Sequence, residues 1–489
     1  MDFFKTNRQI ILFAAGIAIS LFLYFVNPFS LNADACKAVA VAALMVSWWV
    51  MEAMPMPAVA LIPLFLFPLL KISTIEETSK AYSNPVIFLF MGGFMIGLAI
   101  EKWNLHKRIA LQIVKRTGTG GNKIILGFII ATGFLSMWLS NTATTMMMFP
   151  IALSVIAVMK EHEQEGTSMK NFALVLMLII AYASNIGGMA TVIGTPPNVA
   201  FVAFIEKKYG YTIAFSDWMM VCTPLALLLL LSLYVVLTKW MFPNRIKSSV
   251  EARNFIDLEL KNLGPVSKSE ARVLFVFVLT AMLWIFKDLI NKQPFFKVDD
   301  NMIAVFGGLL LFAIPSVKDE EGKQRMLLEW NDTSKMAWGI LLLFGGGIAL
   351  AGSLEKAGVM TLVGKSLASF STGNSLVLVF MITVVSIFLS EVMSNIAQVI
   401  VLSPVLAALA DALHLDPLLL GIPMTLAASA ASMLPMGTPP NAIVFSSGYI
   451  KLKDMLKAGL ALNIISIILI TLFCTYLLPY IMKLVQIVP

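Results

Sequence analysis

Two triplets constrain this chain more than any other feature. Ser140-Asn141-Thr142 and Ser394-Asn395-Ile396 each interrupt a long apolar stretch, and they lie 254 residues apart. Other landmarks keep that spacing. Gly92-Gly93 followed by Glu101-Lys102 returns as Gly346-Gly347 followed by Glu355-Lys356, and Ser136 returns as Ser390. Further on, Gly194-Thr195-Pro196-Pro197-Asn198 returns as Gly437-Thr438-Pro439-Pro440-Asn441 with a shift of 243, so the second copy is eleven residues shorter between its landmarks. The chain is one unit built twice.

With 59% hydrophobic and 13% charged residues and a mean hydropathy of +0.87, the chain has more apolar surface than a water-soluble core of 489 residues could bury. This predicts an all-α polytopic membrane protein. Hydrophobic windows near 9–26, 36–50, 57–70, 83–100, 172–206, 217–241, 272–290, 301–314, 336–353, 417–449 and 456–482 predict eleven transmembrane helices. Regions 123–160 and 374–412 are also apolar but break at Ser-Asn, and read as re-entrant hairpins that return to the side they entered from. Bent backbone at that depth needs protein or a water-filled cavity around it.

With the N-terminus in the cytoplasm, 24 of the 35 Lys and Arg fall inside, the sign of the positive-inside bias, and the C-terminus falls outside. Five crossings separate the hairpins. The number is odd, so the first hairpin opens to the cytoplasm and the second to the outside, and the two repeats are inverted. The organisation expected is an extra N-terminal helix (1–35), a first repeat (36–242), a cytoplasmic connector (243–271) and a second repeat (272–489) in a plasma (inner) membrane. The basic, apolar segment 103–117 and its counterpart 357–370 read as interfacial arms joining a span to its hairpin.

Several other signals are weak. The net charge of +7 comes from short loops rather than one patch, so no nucleic-acid partner is expected. Cys36, Cys222 and Cys474 are too scattered for a disulfide framework or a zinc site. The N-terminus runs into apolar sequence without a small-residue cleavage site, which predicts a retained helix. His106, His162 and His414 read as solvated loop or hairpin-end residues, Thr117-Gly118-Thr119-Gly120-Gly121 as a turn without the ending of a P-loop, and Met146 to Met148 as packing or lipid contacts. Glu52 and Glu391 are the carboxylates nearest apolar surroundings. Glu391, one turn before Ser394, reads equally as a residue that tunes the second motif and as a structural partner in its hairpin.

The motifs carry the chemistry. A helix that restarts at mid-membrane presents unpaired N–H groups and the positive end of its dipole, which attract an anion. Ser and Asn cap such a start, while the preceding half-helix ends in free carbonyls suited to a small hard cation. Gly permits unusual backbone angles and two prolines remove donors, so residues 194–198 and 437–441 are expected to break their helices and free further carbonyls. Ser and Thr in membrane helices often only bond to their own helix. Two copies, each paired with a Gly-Thr-Pro-Pro-Asn copy, favour a binding role.

This set, Ser136-Met-Trp-Leu-Ser140-Asn141-Thr142 with Gly194-Thr-Pro-Pro-Asn198 and Ser394-Asn395 with Gly437-Thr-Pro-Pro-Asn441, resembles the divalent anion:sodium symporter family of dicarboxylate, citrate and sulfate transporters, over nearly the whole chain. The resemblance implies a homodimer working by an elevator mechanism. It implies one sodium site at Ser136, Ser140, Asn141 and the backbone around Gly194, and a second at Ser390, the Met393 backbone, Asn395 and the backbone around Gly437. It places the substrate carboxylates at Ser140, Asn141, Thr142 and Thr195 with Pro196, and at Ser394, Asn395 and Thr438 with Pro439. Ile396 stands where the first copy has a threonine. If a hydroxyl there contacts a carboxylate, its loss removes about 1.5–3 kcal/mol, roughly 10- to 100-fold in affinity.

The function expected is sodium-coupled symport of C4 dicarboxylates such as succinate, malate or fumarate, with two or more Na+. A sodium-independent dicarboxylate exchanger, or citrate or sulfate as substrate, is the alternative within transport; no Lys or Arg stands beside either Ser-Asn, which favours symport. A passive anion channel would use the same dipoles but gain nothing from duplicated cation ligands. No Ser-His-Asp, HExxH or paired-carboxylate arrangement appears at the motif depth, so no enzyme is expected.

Overall fold

The computed structural model describes residues 2–162, 166–246, 250–293, 295, 297–317, 324–369 and 374–485. Residues 247–249 of the expected connector and residue 370 of the second arm lie outside the described residues. Among those described, every regular element is helical, apart from one isolated bridge between Pro315 and Met326.

In chain order the helices are α1 (Asp2–Val26), α2 (Ala33–Val50), the short α3 (Met56–Val59), α4 (Ile62–Leu69) and α5 (Ile75–Ser79), then α6 (Pro85–Lys102), α7 (Leu105–Thr117), α8 (Gly121–Ser136) and α9 (Asn141–His162). They continue with α10 (Thr167–Gly188), α11 (Pro196–Tyr209), α12 (Phe215–Val235), α13 (Val250–Asn262), α14 (Lys268–Ile285), the short α15 (Lys287–Ile290) and α16 (Asp300–Ala313). The last group is α17 (Trp338–Lys356), α18 (Val359–Ser369), α19 (Ser375–Ser390), α20 (Asn395–Leu413), α21 (Pro417–Ser429), α22 (Pro439–Phe445), α23 (Leu452–Leu472) and α24 (Leu478–Val485).

The repeat seen in the sequence is a repeat of helix ends. Both α8 and α19 end on the repeated serine, Ser136 and Ser390, and both α9 and α20 start on the repeated asparagine, Asn141 and Asn395. Each arm helix follows a left-handed residue at the equivalent position, Asn104 (φ 56°) and Gly358 (φ 73°), residue types that tolerate that conformation. The repeated Gly-Gly landmark serves packing. A Cβ on Gly92 would overlap the Ala304 carbonyl of α16, and one on Gly346 the Ala60 carbonyl, so each glycine lets two backbones meet, as small residues do between membrane helices.

By length and composition, nine helical stretches among the described residues can cross a membrane. Seven coincide with expected spans, and the other two are α9 and α20, inside the regions expected to be hairpins. The expected spans 57–70, 272–290, 301–314 and 417–449 fall on short, broken or charged helices, α14 for instance opening with Lys268, Glu270 and Arg272. α10 is buried along 94% of its apolar window and forms the centre, against α8, α9, α12 and α22, whereas α1 is buried along 6% and presents its apolar face outward.

Three expectations change. Glu52 lies exposed in the turn after α2 (φ 51°) and not in the apolar interior of the protein. His106 is buried on α7 with Nδ1 3.1 Å from the Ile100 carbonyl, not solvated. The bases of the first arm face the connector, since Lys107 pairs with Glu259, Lys115 with Asp257, and the buried Arg108 with the buried Glu270. Arg108 also donates to the carbonyls of Leu263, Gly264 and Pro265.

Candidate functional site

Four breaks converge on the centre of the molecule. Two are the bends 137–140 and 391–394 inside the hairpin regions; two are unwound segments, 189–195 between α10 and α11 and 430–438 between α21 and α22. The latter two lie mostly upstream of the repeated prolines, because Pro196 and Pro439 open α11 and α22. A proline at the first helical position lacks a donor that would have no partner there. The prolines restart the helices, and the freed carbonyls belong to the residues before them.

In the first half, one end of the Asn141 amide lies 2.8 Å from Ser136 Oγ, 3.1 Å from the Ser184 carbonyl and 3.3 Å from the Gly194 carbonyl. With nitrogen at that end the amide donates to all three, so one hydroxyl and two carbonyl oxygens converge on a single point. The other end reaches Asn185 at 3.4 Å and Thr195 Oγ1 at 3.5 Å. Ser136 is fully buried, and a Cβ on Gly194 would stand 2.5 Å from the Gly188 carbonyl and 2.9 Å from that of Ser136. Only glycine fits. Asn198 ties the unwound segment by donating to the carbonyls of Gly188, Met189 and Thr191, while Thr191 Oγ1 donates to the Met137 carbonyl and accepts from Gly194 N.

In the second half, Ser390 Oγ lies 2.6 Å from Asn395 Oδ1 and 2.5 Å from the Ala428 carbonyl. Gly437 is buried against the Glu391 carboxylate. Glu391 accepts from Ser432 N (2.9 Å), Met433 N (2.8 Å), Leu434 N (2.9 Å) and Asn463 Nδ2 (2.8 Å). Ser429 Oγ and Asn441 Oδ1, both buried at this break, have no hydrogen-bond partner among the described residues.

The halves are joined by Asn185, whose Nδ2 donates to Thr438 Oγ1 at 3.1 Å. Capping is divided between them: Ser140 Oγ accepts from Ala143 N at the start of α9, and Thr438 Oγ1 from Asn441 N at the start of α22. Ser394 opens α20 without a side-chain cap, which leaves its hydroxyl and the first-turn N–H groups of α20 for other partners, whereas α11 opens on Pro196 and Pro197, which have no N–H, Asn198 N bonds to the Thr195 carbonyl, and the Thr195 hydroxyl faces the Asn141 amide. Thr142, Pro196, Met393 and Ile396 are half-buried beside these starts and Pro439 is exposed. Ser140 lines a cavity of about 100 Å³ that also touches Glu101 and Lys335. A larger cavity of about 850 Å³, lined by Lys71, Lys207, Glu77 and Glu355 among others, touches none of the motif residues. The site therefore follows the ligand geometry and not the size of the void.

The sequence model of the sodium:sulfate symporter transmembrane region matches residues 6–484. The chain belongs to that family. A relative from Staphylococcus saprophyticus, named sodium-dependent dicarboxylate transporter SdcS, is 38% identical over 481 residues, covering 97% of this chain and 92% of the relative. A relative of the same name from Staphylococcus aureus strain MRSA252 is 39% identical over 484 residues, 98% of this chain and 93% of its own. The crystal structure of the Alcanivorax borkumensis YdaH transporter superposes with a TM-score of 0.59 over 83% of this chain and 88% of that one; at 13% identity it shows a shared fold. The relatives within the family are transporters, not enzymes.

Sequence reasoning missed Ser184, Asn185 and Asn463, polar residues inside apolar runs. That position was itself the available signal.

Proposed function

We propose that the protein imports C4 dicarboxylates such as succinate, malate or fumarate together with sodium ions across a plasma membrane. The observation that carries this reading is the oxygen set around the Asn141 amide, matched by the Ser390–Asn395–Ala428 set in the other half. A small hard cation takes about six oxygen ligands, and hydroxyl, amide and carbonyl oxygens supply them without a first-half carboxylate. Sodium at Ser136, Ser140, Asn141 and Gly194, and at Ser390, Met393, Asn395 and Gly437, brings positive charge to the helix starts that face the substrate.

The anion would bridge the halves, one carboxylate at Ser140, Asn141, Thr142, Thr195 and Pro196, the other at Ser394, Asn395, Ile396, Thr438 and Pro439. The Asn185–Thr438 bond supports this, since it brings the two sets onto one surface. Cation coupling answers an energetic need. A dianion entering against an inside-negative potential is opposed by about 2.3 kcal/mol per charge per 100 mV, and two sodium ions cancel that cost.

The same reading takes the N-terminus as cytoplasmic, the two halves as inverted around re-entrant hairpins, and the protein as a homodimer in which the motif-bearing body slides as an elevator. Packing of α22 on α9 and α10, and of α11 on α20 and α21, supports treating these elements as one body. The test is uptake of labelled succinate into proteoliposomes with and without an inward sodium gradient, with citrate and sulfate as competitors. Sodium-stimulated uptake competed by malate and fumarate is expected. Sodium-independent uptake that requires internal dicarboxylate would overturn symport.

A further inference from the structure

The two unwound segments are held by opposite chemistries. In the first, neutral donors hold carbonyls: Asn198 reaches three of them and Thr191 ties the segment to Met137. In the second, a carboxylate holds N–H groups: Glu391 gathers three consecutive backbone amides and Asn463. The residue equivalent to Glu391 in the first half, 254 positions earlier, is Met137. One half therefore carries a fixed ionisable group that the other lacks.

Glu391 is 3% exposed, and among the described residues it forms no ion pair with a lysine, arginine or histidine, unlike the buried Glu270 and Asp300. All four of its partners are neutral donors. They satisfy its lone pairs but leave its charge, and an uncompensated charge at membrane depth is costly. Its place supplies the missing countercharge. Glu391 is bonded to Ser390, and its Oε2 lies 3.0 Å from where a Cβ on Gly437 would stand, and Ser390 and Gly437 both belong to the second cation set proposed above.

We propose that Glu391 is the fixed countercharge of the second cation site, a positioning residue that makes this site the tighter of two unequal sodium sites. This inference rests on the sodium-coupled reading of the same residues. Glu391 acts without being a ligand: it fixes the 432–434 backbone that shapes the site, and its charge is neutralised by the ion that arrives beside it.

Two substitutions separate charge from shape. Glu391→Gln removes the charge yet keeps the bonds to Oε1 from Ser432 N, Met433 N and Asn463, losing only that from Leu434 N. Glu391→Asp keeps the charge and shortens the side chain by one methylene. Half-saturating sodium would be measured in succinate uptake by proteoliposomes and in sodium-dependent thermal stabilisation of the purified protein. The expected result is a rise of at least tenfold in Glu391→Gln and a smaller rise in Glu391→Asp. The reverse order, with Glu391→Gln like wild type and Glu391→Asp worse, would show that the residue only shapes the backbone and would overturn the proposal.

Should Glu391→Gln not reach the membrane, calorimetric titration of the wild type with sodium decides. Two affinities, the tighter lost in Asn395→Ala and the weaker in Asn141→Ala, support the proposal, whereas equal affinities or the opposite assignment refute it. Absence of any sodium-stimulated uptake by the wild type would instead refute the transport reading itself.

Discussion

Gly188→Ala tests the first cation set with the least disturbance to the fold. Gly188 is the last residue of α10, and a Cβ there would overlap Asn141 Oδ1 and stand 3.1 Å from the Gly194 carbonyl. The asparagine amide must swing away and give up its contacts to Ser136 Oγ, the Ser184 carbonyl and the Gly194 carbonyl. Alanine in place of a helical glycine contributes about 0.5–1 kcal/mol in favour of the helix, against about 1–3 kcal/mol for the buried groups that the amide leaves without a partner. Losing one oxygen from a charged centre costs about 1.5–3 kcal/mol. Half-saturating sodium should therefore rise about 10- to 100-fold, with thermal stability in sodium-free buffer lowered only modestly. Gly133→Ala is the control, since its Cβ would meet the flexible end of Leu230 at 2.9 Å and the Ala183 carbonyl at an ordinary contact distance of 3.8 Å. The assay is succinate uptake against external sodium for all three proteins. Wild-type sodium dependence in Gly188→Ala would refute the placement of the Asn141 amide in a cation site.

Ile396→Thr should restore to the second hairpin the hydroxyl present at Thr142 and lower the succinate KM by up to about tenfold, read from uptake at saturating sodium; no change would mean that position 396 does not face the substrate. Arg108→Ala should destabilise the protein by about 3–5 kcal/mol, because it leaves Glu270 buried without a countercharge and frees three carbonyls after α13, and its melting temperature in detergent would fall sharply. Burial holds the His106 imidazole below its ordinary range, with Lys107 adding to this and the Ile100 carbonyl and Glu101 opposing it. The neutral ring is the folded form, so its stability is fully present above about pH 6.5 and declines as pH falls below that. Melting curves between about pH 5 and 8 should show this slope in the wild type and a flatter one in His106→Gln.

What the sequence disclosed were the features written in residue types that act alone. Ser-Asn interrupts an apolar run, so the bends at 137–140 and 391–394 were legible, as was the repeat that aligns them, although of the two serines only Ser140 caps the helix that follows. The left-handed pair Asn104 and Gly358 and the close-packed Gly92 and Gly346 follow the same rule. The carbonyls of Ser184 and Ala428 in the proposed cation sets have no side-chain signature, because any residue can present one. Long-range partners were equally hidden. Glu391 could be read as tuning or as structural until its four donors, all more than 40 residues away, were in place. Position of the prolines misled by a few residues, since Pro196 reads as a breaker in sequence but opens α11 in space.

Both chemical departures from symmetry fall on the second hairpin, and they act in the same direction. Ile396 offers the incoming anion no hydroxyl where Thr142 offers one, and Glu391 stands where the first half has Met137. A carboxylate near an anion site is unfavourable by about 2–4 kcal/mol for each pair of unit charges about 4–8 Å apart at an effective dielectric of about 20. A cation held between them reverses that sign. In the proposed mechanism the second hairpin would thus bind a dicarboxylate poorly without sodium and well with it, while the first hairpin, with its hydroxyls and no fixed charge, changes less. Obligatory coupling needs such a penalty on the uncoupled state, because a site that bound the anion well without sodium would let it cross alone.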